Sequence, residues 1–182
     1  MRDCRRDGEA VLLLGTAFSF VHALDQDALG ALPPGSRIME TGGFKGRSRE
    51  VANSELYQSL SSQTKVSRDC IVNEYGMTEL LSQLYTPVLS EGAADGGAHV
   101  LPPWLRVRVL DPSTLDEVEE GTEGLLAFFD LANAGSVCHL LTEDVGSVLG
   151  GRLRLAGQVT GAEPRGCSMA MDDLMAASQT SR

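Results

Sequence analysis

The sequence predicts an α/β protein, with a parallel-sheet βαβ half followed by a small antiparallel β subdomain. Three observations carry that expectation. Residues 1–100 alternate short apolar runs with segments of helical period, the rhythm of a parallel sheet covered by helices. After Pro102-Pro103-Trp104, residues 101–156 turn to alternating apolar and charged positions broken by turns, the texture of antiparallel strands. Residues 157–182 are punctuated by Gly157, Gly161 and Gly166 and read as a hinge and C-terminal arm.

Taken in order, Glu9 to Phe18 is strand-like, and Phe20 through Leu29 has helical spacing that Pro33-Pro34-Gly35 stops. Ser36 to Glu40 is a second short strand, running into the loop Thr41-Gly42-Gly43-Phe44-Lys45-Gly46-Arg47-Ser48-Arg49. From Glu50 to Leu60, Val51, Leu56, Tyr57 and Leu60 share one helical face. Cys70-Ile71-Val72 is a β-branched apolar run suited to a buried strand, and Gly76 allows a tight turn after it. Thr78 and Glu79 then open a segment, Leu80 to Tyr85, whose apolar residues recur at helical spacing. Glu91 to Gly97 is a surface loop of small residues. Leu105 to Leu110 is a half-exposed strand, and Asp111-Pro112 begins a turn. Gly124 to Phe129, Ser136 to Leu141 and Arg152 to Leu155 are further strands, and Met169 to Ala177 reads as a short helix.

The totals remove several classes of function. At 182 residues and 42% hydrophobic, the chain is one domain, or one domain with an appendage, and can bury an ordinary core. A net charge of −10 and a pI near 4.7 argue against nucleic acid or an anionic membrane surface as partner. Cys4, Cys70, Cys138 and Cys167 lie far apart, with no C-x-x-C pair and no zinc spacing, which suits a reducing, cytoplasmic setting. Arg2, Arg5 and Arg6 before Ala10 to Leu14 superficially resemble a signal peptide. Asp3, Asp7 and Glu9 spoil its basic region, however, and Gly15-Thr16 interrupts its apolar run. No stretch approaches the ~20 apolar residues that cross a bilayer, so a soluble protein without membrane insertion is expected.

Three stretches carry chemistry. In Asn73-Glu74-Tyr75-Gly76-Met77-Thr78-Glu79 a strand ends in a ring, a hydroxyl and a carboxylate, at the strand's carboxyl end where open α/β sheets bind small ligands. Tyr75 offers a face for a base, Thr78 a hydrogen bond to phosphate, and Glu79 a hard oxygen for Mg²⁺. A plain strand-turn-helix with a capping Thr and an acidic first turn satisfies the same residues, and the motif alone leaves both readings open. In the loop from Gly42 to Arg49, glycines let the backbone approach a ligand while Lys45, Arg47 and Arg49 supply cations for a phosphate or carboxylate. No Gly-Lys-Ser/Thr closes it, so it is not a Walker A loop, and a solvated basic turn fits equally. Cys167 follows Arg165 and precedes a predicted helix, a setting that favours thiolate; a small packed residue in a C-terminal turn is the plainer alternative.

In combination these segments resemble the adenylate-forming acyl-activating superfamily. Glu74-Tyr75-Gly76-Met77-Thr78-Glu79, the stretch from Val109-Leu110-Asp111-Pro112 to Glu123-Gly124-Leu125-Leu126, and Leu141-Thr142-Glu143-Asp144-Val145-Gly146 follow in the superfamily's order. Gly15-Thr16-Ala17-Phe18, the run from Glu40 to Glu50, Asn73 to Leu80 and Arg165-Gly166-Cys167-Ser168 are similar to the LuxE-type acyl-protein synthetases in particular, from about Val11 to Met169. The resemblance implies part of the adenylate-forming fold, with residues 1–100 as its AMP-binding subdomain. It implies an enzyme that activates a long-chain fatty acid with ATP and Mg²⁺ as an acyl-adenylate. The acyl group then passes to its own cysteine as a thioester destined for an acyl-accepting reductase. By position, Tyr75 would stack on adenine beside the backbone of Gly42, Gly43 and Gly76. Thr78 would contact phosphate, Glu79 would hold Mg²⁺, Asp144 would bind the ribose hydroxyls, and Cys167 would be the acylated thiol. The superfamily's Ser/Thr/Gly-rich phosphate loop is absent from these residues, as is the first half of such an enzyme, and Gln158 stands where the hinge usually has Arg. The expectation is therefore the C-terminal half of an acyl-protein synthetase, either a truncated gene product or a piece that needs a separate N-terminal half. A ligase that hands the acyl group to coenzyme A, and a catalytically silent subunit or binding module, are the alternatives.

Overall fold

A computed structural model of the chain describes residues 2–42, 51–93 and 97–159. They form two compact units that divide between Val72 and Asn73. The first holds α1 (Arg2–Asp7), β1 (Leu12–Thr16), α2 (Ala17–Asp25), β2 (Arg37–Thr41), α3 (Asn53–Thr64) and a 3-10 turn at Arg68–Cys70, and ends inside β3 (Ile71–Tyr75). β1 and β2 pair in parallel, Leu13 opposite Ile38. Parallel neighbours need a crossover connection, and α2 lies in it directly after β1: Thr16 closes β1 and its hydroxyl caps α2 by accepting from Ser19 N at 3.1 Å. Ile38, Phe20, Leu56, Leu60 and Ile71 make the core, with Val11 and Leu13 packed against it. Leu12 and Leu14 alternate to the other face of β1 and stand 61% and 57% exposed.

The second unit is antiparallel. Its strands are the end of β3, β4 (Leu84–Tyr85), β5 (His99–Val100), β6 (Leu105–Leu110), β7 (Gly124–Asp130), β8 (His139–Leu149) and β9 (Arg152–Gln158), with the short α4 (Val88–Glu91) in a connection. They lie in the order β3-β4-β5-β9-β8-β7-β6. Leu84, Leu105, Leu126, Phe128 and Leu153 form its core. The predicted class, an α/β chain with a parallel start and antiparallel strands after it, is the observed one.

Several elements differ from their sequence patterns, beginning with the first strand, which ends at Thr16 where α2 takes over Ala17 and Phe18, and with Cys70, which lies in the 3-10 turn before β3. The helix from Phe20 stops at Asp25 rather than Leu29, because Asp27 takes a left-handed φ of 50° that breaks the ladder well before the prolines. The strand placed at Ser136 begins at His139, since Ser136 N is bonded back to Asn133 O in a turn. Leu80 to Tyr85 is not helical: it is an irregular segment leading into β4. The backbone N–H groups of Leu81 and Ser82, which a helix would send to carbonyls one turn earlier, go to the Asp130 carboxylate instead.

His99 in β5 is 2% exposed, and its Nε2 donates to Asn73 Oδ1 at 2.6 Å. Burial pushes the imidazole pKa down from 6.5 to about 4, against a smaller opposing pull from the Leu153 carbonyl. The folded state therefore excludes a proton that the unfolded chain accepts. Above pH 6.5 this stability is fully present; as pH falls from 6.5 toward 4 the unfolded state is protonated first and up to ~3 kcal/mol is lost. Urea denaturation across that window is expected to show the loss, and His99→Gln to flatten the slope even if its absolute stability is lower.

Candidate functional site

β3 delivers Tyr75 to the centre of the second unit. Its ring stacks on Phe128 of β7, centroids 5.9 Å apart at 26°, and meets the edge of His99 at 6.2 Å. The hydroxyl donates to Asp144 Oδ2 at 2.6 Å, joining residues 69 positions apart. Burial first, then the charge of Asp144 and its hydrogen bond, hold the Tyr75 pKa far above its usual value of 10.0, so the phenol stays a donor.

Asp144 sits mid-strand in β8 and is half-buried. Its Oδ1 accepts from Gln158 Nε2 of β9 at 2.8 Å, and its backbone N donates to Thr142 Oγ1 at 3.2 Å. The β8–β9 register shifts between Val145 and Gly146. Gly146 makes that shift possible: a Cβ there would lie 2.4 Å from the Arg154 carbonyl oxygen. The bulge thus lies two residues beyond the carboxylate that Tyr75 and Gln158 share.

After Tyr75 the chain turns at Gly76, where a Cβ would come within 2.6 Å of Glu74 Oε1. Thr78 and Glu79 follow on the surface, the Thr78 hydroxyl donating to Glu79 Oε2 at 3.0 Å. The structure thus brings Tyr75 and Asp144 into direct contact, and sets Thr78 and Glu79 beside each other on the adjoining loop. Gly42, in the first unit, follows β2 with φ of 75°, a conformation that favours glycine. Gly43, Lys45, Arg47, Arg49 and Cys167 lie outside the described residues. Among the described residues, no group of three or more His, Cys, Asp and Glu side chains could hold a metal ion.

Sequence reasoning missed three residues that shape this region. Asp130, at the end of β7, is fully buried and accepts from the backbone of the loop at Leu81 and Ser82. Asn133 donates to the Glu79 carbonyl at 2.9 Å. His99 buttresses the Tyr75 ring. A local signal existed only for Asp130, as an Asp that ends a strand and caps the following turn by accepting from Ala132 N.

The family model described as "Acyl-protein synthetase, LuxE" matches residues 2–176. The long-chain-fatty-acid–luciferin-component ligase of Vibrio harveyi is 30% identical over 84 residues, 42% of this chain and 22% of that protein. The ligase of the same name from Aliivibrio fischeri is 40% identical over 48 residues, 26% of this chain and 13% of the relative. Among solved structures, ATP-bound MatB from Rhodopseudomonas palustris matches with a TM-score of 0.60 at 18% identity, over 86% of this chain and 32% of that one. A long-chain-fatty-acid-CoA ligase, FadD1, from Archaeoglobus fulgidus gives 0.56 at 14%, over 87% and 36%. At such identities the structural likeness shows the fold, part of that of the adenylate-forming enzymes. In each case the match spans well under half of the other protein's length. With the family model matching nearly end to end, the chain belongs to the LuxE acyl-protein synthetase family.

Proposed function

We propose that this chain is the C-terminal half of an acyl-protein synthetase and serves the ATP-dependent transfer of a long-chain fatty acid to a protein thiol. In the reaction the fatty carboxylate attacks the α-phosphorus of ATP and pyrophosphate leaves, giving an acyl-adenylate. The Cys167 thiolate then attacks the acyl carbon and AMP leaves. A thioester remains on that cysteine, for delivery to a reductase.

The observation that carries this reading is the Tyr75–Asp144 hydrogen bond, because it unites two separate motifs at one place. Among the described residues each Asp144 oxygen accepts from one side chain, Tyr75 or Gln158, and a carboxylate oxygen has two acceptor sites. Capacity is left for the two ribose hydroxyls. Phe128 takes one face of Tyr75, so adenine would take the other, beside the backbone of Gly76. Thr78 would meet phosphate, and Glu79 would hold Mg²⁺. Mg²⁺ is usually bound by one or two carboxylates plus phosphate oxygens and water, and the single exposed Glu79 fits that pattern. Lys45 and Arg47 would add cations for a phosphate or carboxylate. The remainder of the enzyme would come from an N-terminal half, and exposed Leu12 and Leu14 on β1 favour such a companion.

Isothermal titration is expected to show millimolar or tighter binding of Mg²⁺·ATP and of a non-hydrolysable acyl-adenylate analogue. Asp144→Ala should weaken both by about tenfold or more, the scale of hydrogen bonds to a charged group; unchanged affinity would remove the ribose contact from the scheme. With the N-terminal half supplied, labelled fatty acid and ATP are expected to label the protein covalently, and Cys167→Ser to abolish the label. Label that instead appears only on added coenzyme A would support the alternative ligase.

A further inference from the structure

The segment from Gly76 to Gln83 has neither helix nor strand of its own, yet it is held at closely spaced points. Asn133 Nδ2 donates to the Glu79 carbonyl at 2.9 Å. Leu81 N and Ser82 N donate to Asp130 Oδ2 at 3.1 and 2.9 Å. The Ser82 hydroxyl donates to Asp130 Oδ1 at 2.7 Å and accepts from Trp104 Nε1 at 2.9 Å. Ala132 N completes the Oδ1 shell at 3.0 Å. Asp130 is 0% exposed, Ser82 4% and Asn133 8%.

A buried carboxylate is a poor way to gain stability, since desolvation offsets much of what its hydrogen bonds return. What these bonds do specifically is impose one backbone path on residues 79 to 82, overriding the helical spacing of that segment. The residues so placed begin with the Thr78-Glu79 pair. We propose that Asp130, seconded by Asn133, is the positioning residue for Thr78 and Glu79. It fixes the phosphate and magnesium end of the nucleotide site, while Tyr75 and Asp144 serve the nucleoside end. The assignment rests on the nucleotide reading above and adds two residues to it that touch neither nucleotide nor metal.

Asp130→Asn keeps the shape but turns one oxygen into an NH₂ donor. In one orientation it faces the N–H groups of Leu81 and Ser82, in the other that of Ala132. Asn133→Ala removes the anchor at Glu79 together with the Nδ2 bond to the Val137 carbonyl, leaves the Asp130 contacts in place, and serves if the first variant does not fold. Calorimetry with Mg²⁺·AMPCPP and with adenosine separates the two ends of the site. Both variants are expected to bind Mg²⁺·AMPCPP about tenfold more weakly or worse and adenosine within about twofold of the unaltered protein. In a double-mutant cycle with Glu79→Gln the losses should fail to add, because Asp130 acts through that loop. Unchanged Mg²⁺·AMPCPP binding, equal loss for adenosine, or full additivity with Glu79→Gln would overturn the positioning role. An unaltered protein that binds neither ligand would overturn the nucleotide reading itself, and this inference with it.

Discussion

The second unit is organised around one half-buried phenol. Tyr75 comes from β3, its ring lies against β7 and β5, its hydroxyl reaches β8, and through Asp144 it is linked to β9. A partly buried hydroxyl gains from a partner, and a carboxylate gives the stronger one, a charge-assisted bond worth roughly 1.5–3 kcal/mol. The bond therefore constrains the register of strands far apart in the chain. It also fixes the orientation of the ring, since a tyrosine stacked on one face and tethered at its hydroxyl has little freedom left. Rigidity of that kind is what a stacking platform requires.

Two aspartates in this unit show how differently surroundings can use a carboxylate. Asp130 has no exposure and four donors around it, three of them backbone N–H groups. Its acceptor capacity is taken up inside the fold. Asp144 is half-buried on a strand interrupted by a bulge, with one side-chain donor at each oxygen. The second keeps acceptor capacity on both oxygens at a half-buried position, whereas the first is closed off from solvent. The loop bearing Thr78 and Glu79 runs between these two environments.

How much of this was legible in the sequence follows from the range of the interactions. Leu105 to Leu110 could be read as a strand because its apolar and charged residues alternate, and the observed β6 has those bounds. The glycine at 146 and the acid at 144 entered through family resemblance, although the physical reason for the glycine, a carbonyl where its Cβ would stand, needs the fold. Leu80 to Tyr85 was misread because helical spacing is a local signal and its competitor, Asp130, lies 48 or more residues away. No window of sequence contains both. Asn133 was hidden for the same reason, its partner Glu79 being 54 positions distant. The ends of helices failed more modestly, where single left-handed residues such as Asp27 stopped the ladder before the prolines did.

The first unit raises a different physical question. Parallel sheets are found almost only with both faces covered, because their strands are apolar on both sides. β1 obeys the compositional half of that rule, with three successive leucines, Leu12, Leu13 and Leu14. Leu13 packs on the core shared with α2 and α3, whereas Leu12 and Leu14 remain more than half exposed. An edge strand evolved to face solvent would carry charge or proline at such positions. Leucine there is the composition of an interior strand. It agrees with a chain whose matches span only 22% of the Vibrio harveyi ligase and 32% of MatB. On the proposed reading that face would be covered in the complete enzyme, and Tyr75, Glu79 and Asp144 would contribute the nucleotide side of its site.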